Sequence, residues 1–271
     1  MRVDEHTIYL DESPVFYRSA SATPAAPGAP AVYLHGIPTS SDDWVGFLAR
    51  TGGIAPDLLG FGRSGKGGHL DYSLAGLTQF LERFLAEIQV ERVKLVAHNW
   101  GAALALMLAE RHPNRVETLV LFNAPPVLGS EFAWPRPIRL WQARLIGEGL
   151  MGSTNRWLLA RTLRQGSVRD DAWPDARVAE VWDQFDQGTQ RAILRLVRDT
   201  ADHPPIPQPL EQPPPALIIW GERDPWYPPP LAEAYATRVR GAQIERLPDA
   251  GHWPWLDDPD LVERVADFLV Q

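Results

Sequence analysis

From Ala31 to Phe122 the chain alternates short apolar runs with stretches of helical period, and this rhythm constrains the fold more than any other feature of the sequence. AVYL ending at Leu34, VKLV ending at Val96 and VETLVLF ending at Phe122 are predominantly apolar, as strands covered on both faces are. GGIAPDLLG predicts a further strand, reached from AVYL through one short helix over Ser41–Arg50. Leu77, Phe80, Leu81, Phe84 and Leu85 recur at helical spacing, so Leu74–Gln89 is expected to bury one face. Gly101–Arg111, rich in alanine and leucine, predicts a helix packed closely on the sheet. Such alternation requires a parallel sheet with right-handed crossovers and helices on both faces. TIYLDESPVFYRSA, from Thr7, adds a pair of short antiparallel strands, followed by a linker in SATPAAPGAP.

The rhythm stops after Asn123. Up to the proline-rich HPPIPQPLEQPPPA ending at Ala216 the sequence is helical and holds no convincing strand; ALIIWG, a helix from about Pro230, QIERL and a last helix from Pro259, capped by Asp258, then resume the sheet pattern. The division expected is a core of residues 1–125 and 212–271 interrupted by a helical cap over 126–211, with prolines stiffening both hinges. Five of the eleven tryptophans (Trp134, Trp141, Trp157, Trp173 and Trp182) fall in the cap.

Composition narrows the chemistry. With no cysteine, disulfides, thiolate metal sites and cysteine nucleophiles are all excluded, and no metal or organic cofactor is expected. A net charge of -8 spread along 271 residues argues against a nucleic-acid or anionic-membrane partner and for a small-molecule substrate. MRVDEHTIYLDE lacks the apolar core of a signal peptide, and no apolar run approaches a membrane span, so a cytoplasmic protein is expected.

Functional groups in an open parallel sheet collect just beyond the carboxyl ends of its strands. Those positions hold His35-Gly36-Ile37-Pro38, Ala97-His98-Asn99-Trp100-Gly101, Gly221-Glu222-Arg223-Asp224 and Ala250-Gly251-His252. Small residues at Ala97 and Gly101 let a strand turn sharply into a helix and lift the side chain at 99 above the sheet edge. The backbone N–H groups of Ile37 and Trp100 would converge there as an oxyanion hole, and Asp224 would orient His252 as a general base. His35 and Gly36 are expected to brace the oxyanion loop together with Pro38, and His98 to pack and hydrogen-bond. Ser64, in GFGRSG, is a nucleophile by residue type alone; it follows a glycine-rich turn and is assigned structural capping.

These motifs, in this order, resemble those of the α/β-hydrolase fold: a mostly parallel central sheet flanked by helices, with an inserted helical cap. HNWG, APDLLGFGRSG and GHWPW resemble the branch whose nucleophile is aspartate, the haloalkane dehalogenases and epoxide hydrolases. The resemblance implies carboxylate attack on carbon to give an alkyl ester, which the histidine then hydrolyses with water. It also implies that the indole of Trp100 holds a departing halide, and that Asn123 stands where some relatives place the acid, a role its amide cannot fill and which leaves Asp224 as the acid. Many dehalogenases carry an asparagine after HG as a second donor, where this chain has Ile37; a cap tryptophan, Trp134, Trp141 or Trp173, is the expected substitute. Epoxide hydrolases of this type protonate the epoxide from cap tyrosines, and no tyrosine lies between Tyr72 and Tyr227.

The departure that matters is Asn99 itself, because an amide is a poor nucleophile. Either this is a hydrolase of the aspartate branch with position 99 inactivated or naturally altered, most like a haloalkane dehalogenase and alternatively an epoxide, ester or lactone hydrolase. Or it is a lyase-like or isomerising catalyst, or a binding protein, in which Asn99 donates a hydrogen bond.

Overall fold

The apolar runs pair as the alternation requires. In the computed structural model, which describes residues 1–21, 28–127, 132–202 and 209–271, β1 (Asp4–Leu10) and β2 (Ser13–Ala20) form an antiparallel hairpin. The hairpin joins β3 (Ala31–Leu34), β4 (Gly53–Pro56), β5 (Val93–His98), β6 (Val116–Phe122), β7 (Ala216–Gly221) and β8 (Gln243–Leu247) in one sheet of order β1-β2-β4-β3-β5-β6-β7-β8. β2 meets β4 antiparallel, and every pairing from β4 to β8 is parallel. The central strands β5 and β7 are buried at every position, which is why they are written almost wholly in apolar residues.

Register does the positioning. Leu34 pairs with Ala97, His98 with Phe122, and Phe122 with Ile219, so the residues that follow β3, β5, β6 and β7 emerge side by side at one edge of the sheet.

Helices cover the sheet and fill the interruption. A short turn at Ser41–Trp44 leads into α1 (Val45–Thr51), followed by α2 (Leu74–Glu87) and α3 (Trp100–Arg111). α3 is buried from Trp100 to Ala109; Ala102, Ala103 and Ala105 let it lie close against the strands and α2. Between β6 and β7 run α4 (Arg136–Gln142), α5 (Ile146–Gly152), α6 (Arg156–Gln165), α7 (Asp175–Gln184) and α8 (Gln187–Asp202). α9 (Pro230–Arg238), α10 (Pro254–Asp257) and α11 (Leu261–Leu269) complete the chain. The final helix begins later than Pro259: Asp258 accepts the Asp260 N–H at 3.2 Å, folding a turn that makes Asp260 the N-cap. Residues 22–27 of the predicted linker, and 128–131 and 203–208 of the predicted hinges, lie outside the described residues.

The helical insertion is fastened to the segments that follow β3 and β4 by polar bonds. Gln184 donates to Asp42 at 2.9 Å, Arg177 pairs with Asp43 at 3.3 Å, and the Thr189 hydroxyl donates to the Gly60 carbonyl at 2.9 Å. Burial alone would raise the Asp42 carboxyl, but Arg63, Gln184 and Arg18 outweigh it and bring the group down to about 2 from the ordinary 3.8. A carboxylate with a lower pKa folded than unfolded stabilises the protein above its unfolded value, and that stability goes as pH falls through the folded one. Asp42→Asn should therefore cost about 1–2 kcal/mol at neutral pH, solvent screening trimming the full value. Thermal melts should show the difference from the parent chain shrinking between pH 3.8 and about 2.

Among the described residues no helix is long and apolar enough to cross a membrane, and no cluster of three or more histidine or carboxylate side chains is arranged to hold a metal ion.

Candidate active site

Strand β5 passes into α3 through one residue, Asn99, whose backbone stands at φ 54° and ψ -125°. A side-chain-bearing residue is strained there, by roughly 1–3 kcal/mol, and the surrounding packing must hold it. Gly101 explains how: a Cβ at that position would run into the Leu34 and His35 carbonyl oxygens, the latter at 2.7 Å. At Gly36 a Cβ would likewise collide with the Asn99 side chain. Ala97 is fully buried beneath the turn. The sharp turn aims the Asn99 side chain over the sheet edge, where it is only 3% exposed.

Its amide is held at both ends. Oδ1 accepts the Trp100 N–H at 2.6 Å and the Ile37 N–H at 3.5 Å, while Nδ2 donates to His252 Nε2 at 2.8 Å. Two converging backbone donors can be satisfied only by the carbonyl oxygen, which fixes the amide orientation and turns its NH2 toward the imidazole. His252 Nε2 therefore acts as acceptor, so Nδ1 carries the proton and donates it to Asp224 Oδ2 at 2.6 Å.

Asp224 is anchored from several sides. Its Oδ1 accepts the Trp226 N–H at 2.8 Å and the Tyr227 N–H at 3.1 Å, and its Oδ2 also accepts from Asn123 Nδ2 at 2.8 Å. Asn123, excluded as the acid by its chemistry, is thus bonded to the acid, and its Oδ1 accepts the Gly221 N–H at 2.9 Å. Sequence reasoning missed this support, although its position after β6, next to β7, was the available signal.

The histidine loop is tied to the insertion as well as to the sheet. His252 N–H donates to the Gly166 carbonyl at 2.6 Å, just beyond α6. Asp257 accepts the Gly251 N–H at 2.8 Å with one oxygen and the Val168 and Arg169 N–H groups at 2.8 and 2.9 Å with the other.

Two further histidines, His35 and His98, are structural partners of the site. His35 donates Nδ1–H to the Gly36 carbonyl at 2.7 Å and accepts the Leu58 N–H at Nε2, 2.9 Å away, which braces the loop carrying Ile37. His98 donates Nε2–H to the His252 carbonyl at 2.8 Å; burial, and then the neighbouring His252, push its pKa well below the ordinary value, so it stays neutral. Ser64 donates to the Asp57 carbonyl at 2.7 Å and accepts the Phe16 N–H at 3.0 Å, a buried cap with no base beside it.

Above Asn99 and His252 lies a cavity of about 390 Å³ between sheet edge and insertion. Ile37, Pro38, Trp226 and Tyr227 line it from the core, and Trp141, Leu150, Met151, Leu159 and Phe185 from the insertion. Arg136 at its edge is the one formally charged side chain among the lining residues, so the space suits an apolar molecule. Of the tryptophans expected in the pocket, only Trp141 lines this cavity. Trp173 is turned into the packing: its ring lies edge-on to Trp253 at 4.9 Å and its Nε1–H donates to Ser167 Oγ at 3.2 Å. Trp134 stacks flat on Trp100, with centroids 5.6 Å apart and planes 10° from parallel. Trp100 is buried under that ring rather than along the cavity wall, and its Nε1–H has no hydrogen-bond partner among the described residues.

Tyr227 was not anticipated as a site residue. Its ring centroid lies 5.3 Å from that of His252 and it faces the same cavity as Asn99. Burial, followed by the Asp224 charge, pushes its hydroxyl far above the ordinary pKa against a hydrogen bond from the Asn99 amide, so it is a protonated phenol.

The comparisons identify the family of the fold. Residues 30–259 match the family model described as the alpha/beta hydrolase fold. A haloalkane dehalogenase of Mesorhizobium japonicum is 40% identical over 278 residues, covering 90% of this chain and 85% of that one. Epoxide hydrolase 2 of Caenorhabditis elegans is 29% identical over 226 residues, covering 77% of this chain and 63% of that one. The haloalkane dehalogenase DbeA of Bradyrhizobium elkani superposes with a TM-score of 0.81 at 24% identity, over 99% of this chain and 98% of that one. With its sheet order, its strained turn before α3 and these relatives, the chain belongs to the α/β-hydrolase family and is a hydrolase of the haloalkane dehalogenase and epoxide hydrolase-like branch.

Proposed function

We propose that this scaffold performs hydrolytic displacement on an apolar small molecule, most like a haloalkane dehalogenase, with position 99 as the seat of the nucleophile. The observation that carries the proposal is the division of labour at that side chain. One terminal atom rests on the Ile37 and Trp100 N–H groups, and the other faces the cavity and His252. A carboxylate placed the same way would hold one oxygen in the oxyanion hole and direct the other at carbon. After the leaving group departs, His252, oriented by Asp224, would take a proton from water attacking the ester carbonyl. The developing charge would fall on the oxygen already facing two donors. Asn99 arrests this cycle at its first step, since an amide brings no anionic oxygen to carbon.

A haloalkane as substrate is supported by the 40% identical relative and by the apolar walls of the cavity; a halide role for the Trp100 Nε1–H, which lies off the cavity wall, comes from the resemblance alone and is tested below. In this proposal helices α4–α8 act as a cap, His252 and Asp224 complete a triad with position 99, and the setting is cytoplasmic. The test is Asn99→Asp assayed in parallel for halide release from haloalkanes and for diol formation from epoxides. In that background Trp100→Phe keeps the ring and removes the donor. Halide release should fall about 10- to 100-fold while binding of an apolar inhibitor changes little, the cost of one charge-directed hydrogen bond in the transition state. Unchanged halide release would remove the indole from the mechanism.

A second proposal, epoxide hydrolysis, is favoured by Tyr227. A protonated phenol beside position 99 could give its proton to an epoxide oxygen, the task performed from the cap in the resembled enzymes. Diol without halide release from Asn99→Asp, lost in Tyr227→Phe, would select it.

A further inference from the structure

The Asn99 side chain has the shape of the reaction intermediate that this site is built to hydrolyse. An alkyl ester at position 99 would be an acyl group whose carbonyl oxygen sits on two N–H donors and whose substituent faces His252. The amide of Asn99 is such an acyl group, with nitrogen in place of the ester oxygen: Oδ1 lies 2.6 Å from Trp100 N and 3.5 Å from Ile37 N, and Nδ2 lies 2.8 Å from His252 Nε2. We infer that the active site hydrolyses the side-chain amide of its own Asn99, converting it to aspartate and releasing ammonia, so that position 99 is a self-processing site.

The step balances with water alone. Water adds to Cγ as His252 Nε2 takes its proton, and the carbonyl electron pair moves onto Oδ1, toward the Ile37 and Trp100 N–H groups. The C–N bond then breaks as His252 returns the proton to the departing nitrogen. Carboxamide and water become carboxylate and ammonium, with no oxidant, metal or co-reactant. An amide resists because its nitrogen leaves only when protonated, and here that nitrogen is already in contact with the group that would protonate it. Asp224 stabilises the imidazolium formed between the two proton transfers through its 2.6 Å bond to Nδ1. Water reaches Cγ through the cavity that Asn99 lines.

The uncatalysed route to the same product is closed. Spontaneous deamidation of asparagine proceeds through attack of the next backbone nitrogen on Cγ, giving a cyclic imide that opens to a mixture of aspartate and isoaspartate. The nitrogen required is Trp100 N, which begins α3 and points its hydrogen at Oδ1. Processing by the active site should accordingly yield aspartate alone.

The inference rests on position 99 being the nucleophile seat, and the experiment separates the two. The purified native chain is incubated in ordinary and in heavy-oxygen water, and residue 99 is followed by peptide mass mapping beside the exposed Asn114 and Asn155. His252→Gln and Asp224→Asn variants are run in parallel, with circular dichroism to verify folding, and Asn99→Asp is assayed on haloalkanes and epoxides. Expected is conversion at 99 with one solvent oxygen incorporated, no isoaspartate, and at least ~100-fold slower conversion in folded His252→Gln. Conversion that depends on His252, with an Asn99→Asp chain inert on both substrate classes, sustains the inference and sinks the proposed function. An intact Asn99 in the native chain while Asn99→Asp turns substrate over overturns the inference and leaves the function standing. Conversion at equal rates in His252→Gln, or with isoaspartate, also overturns it.

Discussion

Asn99→Asp is expected to raise displacement activity by ~10³-fold or more over the Asn99 chain held before any conversion, the scale on which nucleophile losses are felt in covalent hydrolases. Few substitutions promise so large a gain from so small a change in shape. The Asn99 side chain is already oriented, its backbone strain is already borne by the fold, and His252 already has its tautomer set by Asp224. The substitution brings the anion, and one carboxylate oxygen would inherit the Ile37 and Trp100 contacts. Ion chromatography of halide, with steady-state kinetics on short bromoalkanes, measures the gain. If activity stays at background across haloalkanes and epoxides, position 99 is not a nucleophile seat.

The second large effect is the loss of His252 in that background. Attack on carbon needs only the carboxylate, whereas release needs activated water, so the double variant Asn99→Asp, His252→Gln should stop halfway. One equivalent of halide per protein is expected, followed by turnover reduced ~10⁴-fold, with an alkyl group retained on the peptide carrying residue 99. Intact-mass measurement after substrate addition reads the adduct directly. Continued turnover would mean that another group activates water, and Asp224 would be the first to examine, by Asp224→Asn.

The legibility of this site in the sequence follows from where each residue sits. Position 99, His252 and Asp224 each lie within a few residues of a buried strand, and a strand's apolar run and its terminus are written locally. The hole formed by Ile37 and Trp100 was readable for the same reason, being backbone at strand ends. Of the residues facing the cavity from the insertion only Trp141 was legible, because which side of a short helix looks inward depends on helices far away in sequence. Trp173 and Trp134 show the cost. Tryptophan is enriched in cores as well as in pockets, and these two pack against Trp253 and Trp100 instead of lining the cavity. Tyr227 is not legible as a site residue because the resembled epoxide hydrolases carry such tyrosines in the cap, whereas this one lies outside the insertion. It lies three residues beyond Asp224, in the turn whose N–H groups hold that carboxylate, and its approach to Asn99 is a product of the tertiary fold. The late start of α11 is a local matter, a competing turn at Asp258 that propensity alone does not rank.

The bond from His252 N–H to the Gly166 carbonyl has a mechanical consequence. One wall of the roof is bolted to the base, with Asp257 fastening the adjoining backbone at Val168 and Arg169. Swinging that wall outward would carry the imidazole away from position 99, so a hinged opening there would disarm the enzyme each time it admitted a molecule. Elsewhere in the insertion, α4 and α5 present Leu140 and Leu150 to solvent and to the cavity together, a place where an opening would leave the bond to His252 intact. Substitutions at Leu140 and Leu150 are therefore expected to change how fast products escape while the contacts of His252 stay fixed, separating throughput from chemistry.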